Sequence, residues 1–239
     1  MQNSTDIFSL ESTLSLFLDC IVGHKQSEKQ APFLQAITSI FCGQTTEDIV
    51  SFALDDEATA RVICQLKEPL KSSFPEMLKS VNMPLTYLLD ELICNIQQHA
   101  QTDKGYAYVM YNQEAKAIEI VIADFGITIY GSYVAAQKHL DKLGDSDAEA
   151  LNLAQNGYSV KNLPNTENRG YGISSNIKMV VKGLHGEFAT LSGNALLLQI
   201  PNSRKILALP PEIDFKGTMV MVRVPMPIPT NFNMYDYTS

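Results

Sequence analysis

Three short segments of this 239-residue chain carry residue types that could act on a phosphate ester. In ELICNIQQHA, residues 91–100, Glu91 and Asn95 stand four apart and so share one face of a helix. A carboxamide oxygen can hold a hard cation such as Mg²⁺, and a carboxylate one turn away can polarise an attacking water or hydroxyl. Gln98 and His99 extend the same polar face, although a solvated helix surface would show the same pattern. In IEIVIADFGITI, residues 118–129, an apolar run ends in Asp124 and turns at Gly126. A carboxylate at a strand end could accept a hydrogen bond from an adenine amino group, a charge-assisted bond of on the order of 1.5 to 3 kcal/mol. A plain hairpin turn would read alike. In NRGYGISSN, residues 168–176, Gly170 and Gly172 precede a helix and leave its first N–H groups open to phosphate oxygens. Thr218, after Gly217, could add a hydroxyl at the base end, though threonine is also an ordinary strand residue.

Two other nucleotide sites are excluded. Asp124-Phe-Gly126 spells the metal-binding triplet of protein kinases, but no H-R-D loop, V-A-I-K strand or N-terminal glycine loop accompanies it. The glycine pair follows a long polar segment and not a strand, so no βαβ dinucleotide-binding unit surrounds it.

Taken in order and in their secondary-structure setting, the four segments resemble the boxes of the GHKL superfamily, the Bergerat-fold ATPases and kinases. ELICN resembles the N box, DFGIT the first glycine box, RGYGISS the second, and the Gly217-Thr218 strand the terminal box. The resemblance spans residues 84–225 and, through AEALNLAQNGYSV, is nearest to stand-alone bacterial ATP-binding proteins similar to anti-sigma-factor serine kinases. It implies ATP and Mg²⁺ as ligands, with Glu91 as general base and Asn95 as metal ligand. It further implies Asp124 as the adenine anchor, Gly126, Gly170 and Gly172 as backbone contacts, Thr218 at the base, and His99 and Ile129 beside the nucleotide. Thr128 and Ser174 stand where that family commonly has glycines. The activity implied is Mg-dependent ATP hydrolysis or protein serine phosphorylation in signalling, with a regulatory protein as partner. The alternative is an ATP-gated interaction switch that transfers no phosphate. His24, in IVGHKQSEK, does not match the phospho-acceptor motif of histidine kinases, and the N-terminal helices could support a homodimer.

The elements that must position these residues follow from periodicity. Apolar residues recur at three and four from Asp6 to about Lys79, which predicts helices, with Pro32, Pro69 and Pro75 dividing them. Pro84 is expected to open a longer helix to about Ala100, followed by a hairpin of Tyr106–Tyr111 and Ala117–Ala123. Helical patterning returns over Ser132–Leu143 and Asp145–Gln155 and again over Ile173–Leu184. Strand-like runs then follow at Glu187–Leu191, Ala195–Ile200 and Met219–Val224, with a further candidate at Lys205–Leu209. The fold expected is α+β, a two-layer sandwich with helices on one face of a mixed, mainly antiparallel sheet. The divisions expected are a helical region at 1–80, an ATP-binding domain at 81–225 with a lid at about 130–168, and a flexible tail at 226–239.

Composition agrees with a folded protein, since 45% of residues are hydrophobic and 18% charged. A net charge of -8 without a basic cluster argues against nucleic acid. Cys20, Cys42, Cys64 and Cys94 form no C-x-x-C pair and read as buried thiols in a reducing compartment. No apolar run reaches the ~18 residues of a membrane helix and the start lacks a basic leader, so a cytoplasmic location without a membrane partner is expected.

Overall fold

Ala117-Ile-Glu-Ile-Val-Ile-Ala-Asp124 forms strand β3, and it is buried at every position. Both of its faces are therefore covered, as its run of aliphatic residues requires. The computed structural model describes residues 35, 37, 39, 47–160, 173–210 and 214–237. Around β3 lies a seven-stranded sheet with β1 (Val50–Ala53), β2 (Lys104–Asn112), β4 (Glu187–Gly193), β5 (Ala195–Ile200), β6 (Ser203–Ala208) and β7 (Phe215–Pro225), in the order β1-β2-β3-β7-β4-β5-β6. Every pairing in it is antiparallel, so the sheet is not mixed. The architecture is α+β.

Alternation sorts the strand residues onto two faces. Ile118, Ile120 and Ile122 of β3, Val220, Val222 and Val224 of β7, and Phe188 of β4 belong to the core shared with the helices. Val121, Ala123, Met219, Met221, Ala189 and Leu191 form a second apolar cluster on the opposite face. Ile37, a helical residue of the N-terminal region, sits in the same cluster fully buried.

Helix α1 (Asp56–Ser73) and helix α2 (Pro75–His99) cover the first face. The long helix starts at Pro75 and not at Pro84, which lies inside it. The apolar stripe explains this, because Leu78 and Val81 continue upstream the spacing of Leu85, Leu88, Leu89, Leu92 and Ile96. Burying two such side chains is worth ~1.5–3 kcal/mol each, enough to offset the ~3 kcal/mol of an interior proline. Pro69 is likewise interior to α1, so of the described prolines in this region Pro75 alone marks a helix boundary, while Pro32 lies outside the described residues. Cys64 of α1 is exposed, not buried as expected. Strand β1 interrupts the region read as wholly helical. It is four residues long, too short to show a period of two, and Phe52 lays its ring over Gly105 across the β1–β2 pair.

Beyond β3 the chain forms α3 (Ile129–Ala136), α4 (Leu140–Leu143) and α5 (Asp147–Gln155) around a small core of Tyr133, Leu143, Ala150 and Leu153. The single helix expected over Ser132–Leu143 is split where Gln137 and His139 take left-handed conformations, φ 50 and 55°. Helix α6 (Ile173–Ile177) runs into a π-helical turn, Lys178–Gly183, before β4. After β7 the proline-rich segment expected to be an extended tail instead folds back. Phe232 and Tyr237 stack with centroids 5.9 Å apart, both close over Gly183, and Met234 is buried. Three apolar side chains outweigh the extended preference of the prolines.

Leu89 lies fully buried at the centre of α2. Leu89→Ala should lower the unfolding free energy by about 2–5 kcal/mol in urea titrations, with the slope unchanged.

Candidate functional site at the end of the sheet

At one end of the helix-covered face, three adjacent strands present polar side chains in a row. Ala123 pairs with Met219 and Ser192 pairs with Thr218, which sets Asp124, Thr218 and Ser192 side by side across β3, β7 and β4. All three are in phase with residues of the helix-side core: Asp124 with Ile122, Thr218 with Val220, and Ser192 with Phe188. The hydroxyls of Ser192 and Thr218 are 3.2 Å apart. Ser192 also donates to the Gly217 carbonyl at 3.1 Å and accepts the Ile129 N–H at 2.9 Å, so this one hydroxyl ties β7, β4 and the start of α3 together.

Asp124 is only 2% exposed. Burial lifts its pKa to about 7, and hydrogen bonds from the Gly126 and Thr218 N–H groups pull partly the other way. The Gly126 bond to Oδ1 is 2.9 Å. Two glycines are required here by close approach. A Cβ on Gly126 would collide with the Ala100 carbonyl, and Gly217, at φ 111°, faces the Asp124 carbonyl. The Ala100 carbonyl also accepts the Ile127 N–H at 2.7 Å, which pins the turn after β3 to the end of α2.

Thr128, where a glycine was expected, has φ −70°, and its side chain accepts the Gly131 N–H at 3.0 Å. It is the N-cap of α3, a role that suits threonine and needs no glycine. Ser174 lies buried inside α6, where glycine would weaken the helix.

Along α2, Glu91, Asn95 and His99 form one stripe at four-residue spacing, each half-buried, and the Glu91 Oε2 is shielded from solvent. His99 reaches the cavity that separates α2 from α3, a space of about 360 Å³ with Gln98, Gln101, Ile127, Ser132 and Val160 among its walls. Glu91 and Asn95 lie about 12 and 6 Å back from His99 along the helix axis at ~1.5 Å per residue. Beyond the cavity, α3 and the start of α4 are tied to the chain that follows α5. The Tyr133 hydroxyl donates to the Tyr158 carbonyl, His139 Nε2 lies 3.1 Å from the Ser159 carbonyl, and Lys142 sits over the Tyr158 ring.

Asp124, Gly126, Ile129 and Thr218 are thus brought to one place, with His99 on the adjoining cavity and Glu91 and Asn95 further along the same helix. Gly170 and Gly172, with the lid beyond residue 160, lie outside the described residues. Ser192 was not singled out from the sequence, although a serine in phase with Phe188 near the end of a strand-like run was the available signal.

No protein-family model matches the chain, and no curated protein matches it.

A carboxyl raised by burial favours the folded state in its protonated form. Its stabilising contribution is complete below the unfolded pKa of about 4 and is lost as pH rises through the folded value of about 7. Asp124→Asn should therefore melt higher than wild type at pH 8 and lose less stability than wild type between pH 5 and 8. A smaller residual loss should remain from Glu187, which burial also raises to about 7.

Proposed function

We propose that this protein binds Mg-ATP in a pocket of the Bergerat type and acts as an ATP-dependent signalling protein, an ATPase or a protein serine kinase. The observation that carries the reading is the row Asp124–Thr218–Ser192 at the sheet end, roofed by the C-terminal end of α2 and flanked by Gly126 and Gly217. A buried carboxylate beside a threonine hydroxyl suits the amino-bearing edge of a purine. The cavity beside it, at about 360 Å³, falls in the size range of small-molecule sites.

From that anchor the helix stripe runs in the direction a triphosphate would extend. Mg²⁺ held by the Asn95 amide oxygen would offset the charge of the phosphates. Glu91, half-buried one turn earlier, would accept the proton of an attacking water or of a serine hydroxyl on a partner protein. Asp124 would accept a hydrogen bond from the base amino group, and Thr218 would donate its hydroxyl to a ring nitrogen. The backbone at Gly126 and the Ile129 end of α3 would lie against the ligand. The second reading, a switch that binds ATP without transfer, is favoured by the braced lid core of Tyr133, Leu143, Ala150 and Leu153, which could move as one body. Glu91 separates the two readings, because a pure switch has no use for a base.

Two outcomes follow. Adenosine does not titrate near neutrality, and the ionised Asp124 carboxylate accepts from its amino group far more strongly than the neutral acid. Adenosine affinity should rise roughly tenfold from pH 6 to pH 8 in calorimetric titrations, and the dependence should vanish in Asp124→Asn. Glu91→Ala should lower ATP turnover by roughly 10² to 10⁴ while leaving Mg-ATP affinity within a few-fold of wild type. Unchanged turnover in that variant would leave only the switch.

A further inference from the structure

The last strand of the sheet leaves one side of its backbone open. β6 pairs with β5 and, among the described residues, with no other strand. The Leu209 N–H donates to the Asn194 carbonyl at 2.6 Å, so position 209 turns its backbone toward β5. Hydrogen bonding alternates along an antiparallel strand, so Leu207, Lys205 and Ser203 turn theirs the same way. Arg204, Ile206 and Ala208 therefore point N–H and C=O away from the sheet, where they meet no partner among the described residues. An edge of this kind templates further pairing unless a proline, a bulge or very short length blunts it. β6 has none of these, since it runs six residues in unbroken register with β5. Its charged residues, Arg204 and Lys205, instead restrict which strand can join it.

A second copy of the same strand fits in one register. Antiparallel pairing about Ile206 sets Ile206 against its symmetry mate and Arg204 against Ala208, which joins every outward group. Centring the pair on Lys205 would place two ammonium groups directly opposite, a destabilising arrangement, and centring it on Leu207 would leave Arg204 unpaired. About Ile206, Lys205 lies opposite Leu207, which is 41% exposed and can cover the lysine stem.

The helix layer shows the same two-fold match in charge. Arg204 donates to the Asn152 amide oxygen of α5, which puts its side chain on the helix face. Ala208, about 13 Å along the strand at ~3.3 Å per residue, pairs with Ala195. Next to Ala195, the Asn194 N–H is held at 3.2 Å by Asp147, which with Glu149 makes the first turn of α5 acidic. Antiparallel pairing brings the basic end of each copy to the acidic end of the other.

We propose that β6 is a homodimer interface, through which two copies of this chain join their sheets edge to edge about Ile206. It differs from dimerisation through the N-terminal helices, and it needs no nucleotide, since Asp124 on β3 is separated from β6 by β7, β4 and β5. Two six-residue strands and the flanks of two helices make an interface at or below the ~1,200 Å² low end of specific contacts, so the dimer should be weak and concentration-dependent.

Sedimentation equilibrium of the full chain should show monomer and dimer without larger species. Proline at 206 or 208 removes an outward N–H and no bond to β5, so Ile206→Pro and Ala208→Pro should each weaken the dimer roughly tenfold or more while the dilute monomer still folds. In the wild type, amide exchange at Arg204, Ile206 and Ala208 should slow as concentration rises, while Lys205 and Leu207, already bonded to β5, keep their rates. That measurement needs no variant and decides the matter if proline unfolds the strand. A chain that stays monomeric up to about 1 mM would overturn the proposal. So would a dimer of wild-type strength in both proline variants, or exchange at the three outward amides that ignores concentration. Open-ended oligomers would also overturn it, because they would mean that β6 pairs with a different edge of the next copy and not with itself.

Discussion

The burial of one carboxyl group organises this end of the molecule. Asp124 closes the most buried strand of the sheet at a point where the surrounding layers are apolar, and an ionised group there loses nearly all of its hydration. What keeps the position tenable is local. Two backbone N–H groups reach the carboxyl, and they can do so because glycine at 126 and 217 lets the turn after β3 and the start of β7 close in. The pinning of Ile127 to Ala100 and of Ile129 to Ser192 then follows from the same tight packing, and with it the position of α3. A protein does not need a half-titrated acid in that place for stability. Its presence is a cost that a ligand would offset.

The central strands and the long helix were legible in the sequence because their signals are periodic and redundant. Ala195–Ile200 has the expected bounds, and β2, β3, β4 and β7 extend the expected runs by one to a few residues. Where reading failed, a local rule met a stronger tertiary force. Pro84 suggested a start because proline lacks an N–H, yet the stripe from Leu78 onward carries the helix through it. The prolines after β7 suggested an extended tail, yet Phe232, Met234 and Tyr237 find apolar surface to cover. Strand β1 has four residues and exists because β2 offers it an edge, information that no window around Val50 contains.

The candidate site was legible in a different way. Asp124, Gly126 and Thr218 were found through their order along the chain, and the sheet register brings them together. Thr128 appeared as a departure from a glycine pattern and is accounted for by capping chemistry. Ser192 and Thr190 were passed over because each is a common residue in a strand-like run. Their distinction is that they are buried in one face, and burial depends on which partner strand and helix lie opposite. Sequence periodicity can place a residue on a face but cannot say that its hydrogen bonds are unmet.

The most direct test of the account is a backbone amide spectrum of the full chain titrated with Mg-ATP. The account predicts that the largest shifts cluster at Gly126, Ile127, Ile129, Gly217 and Thr218, with a second group at Asn95 and His99, and that the exposed edge strand β6 stays unmoved. Shifts that are absent at saturating nucleotide, or that gather on β6 and leave the Asp124 end undisturbed, would contradict it.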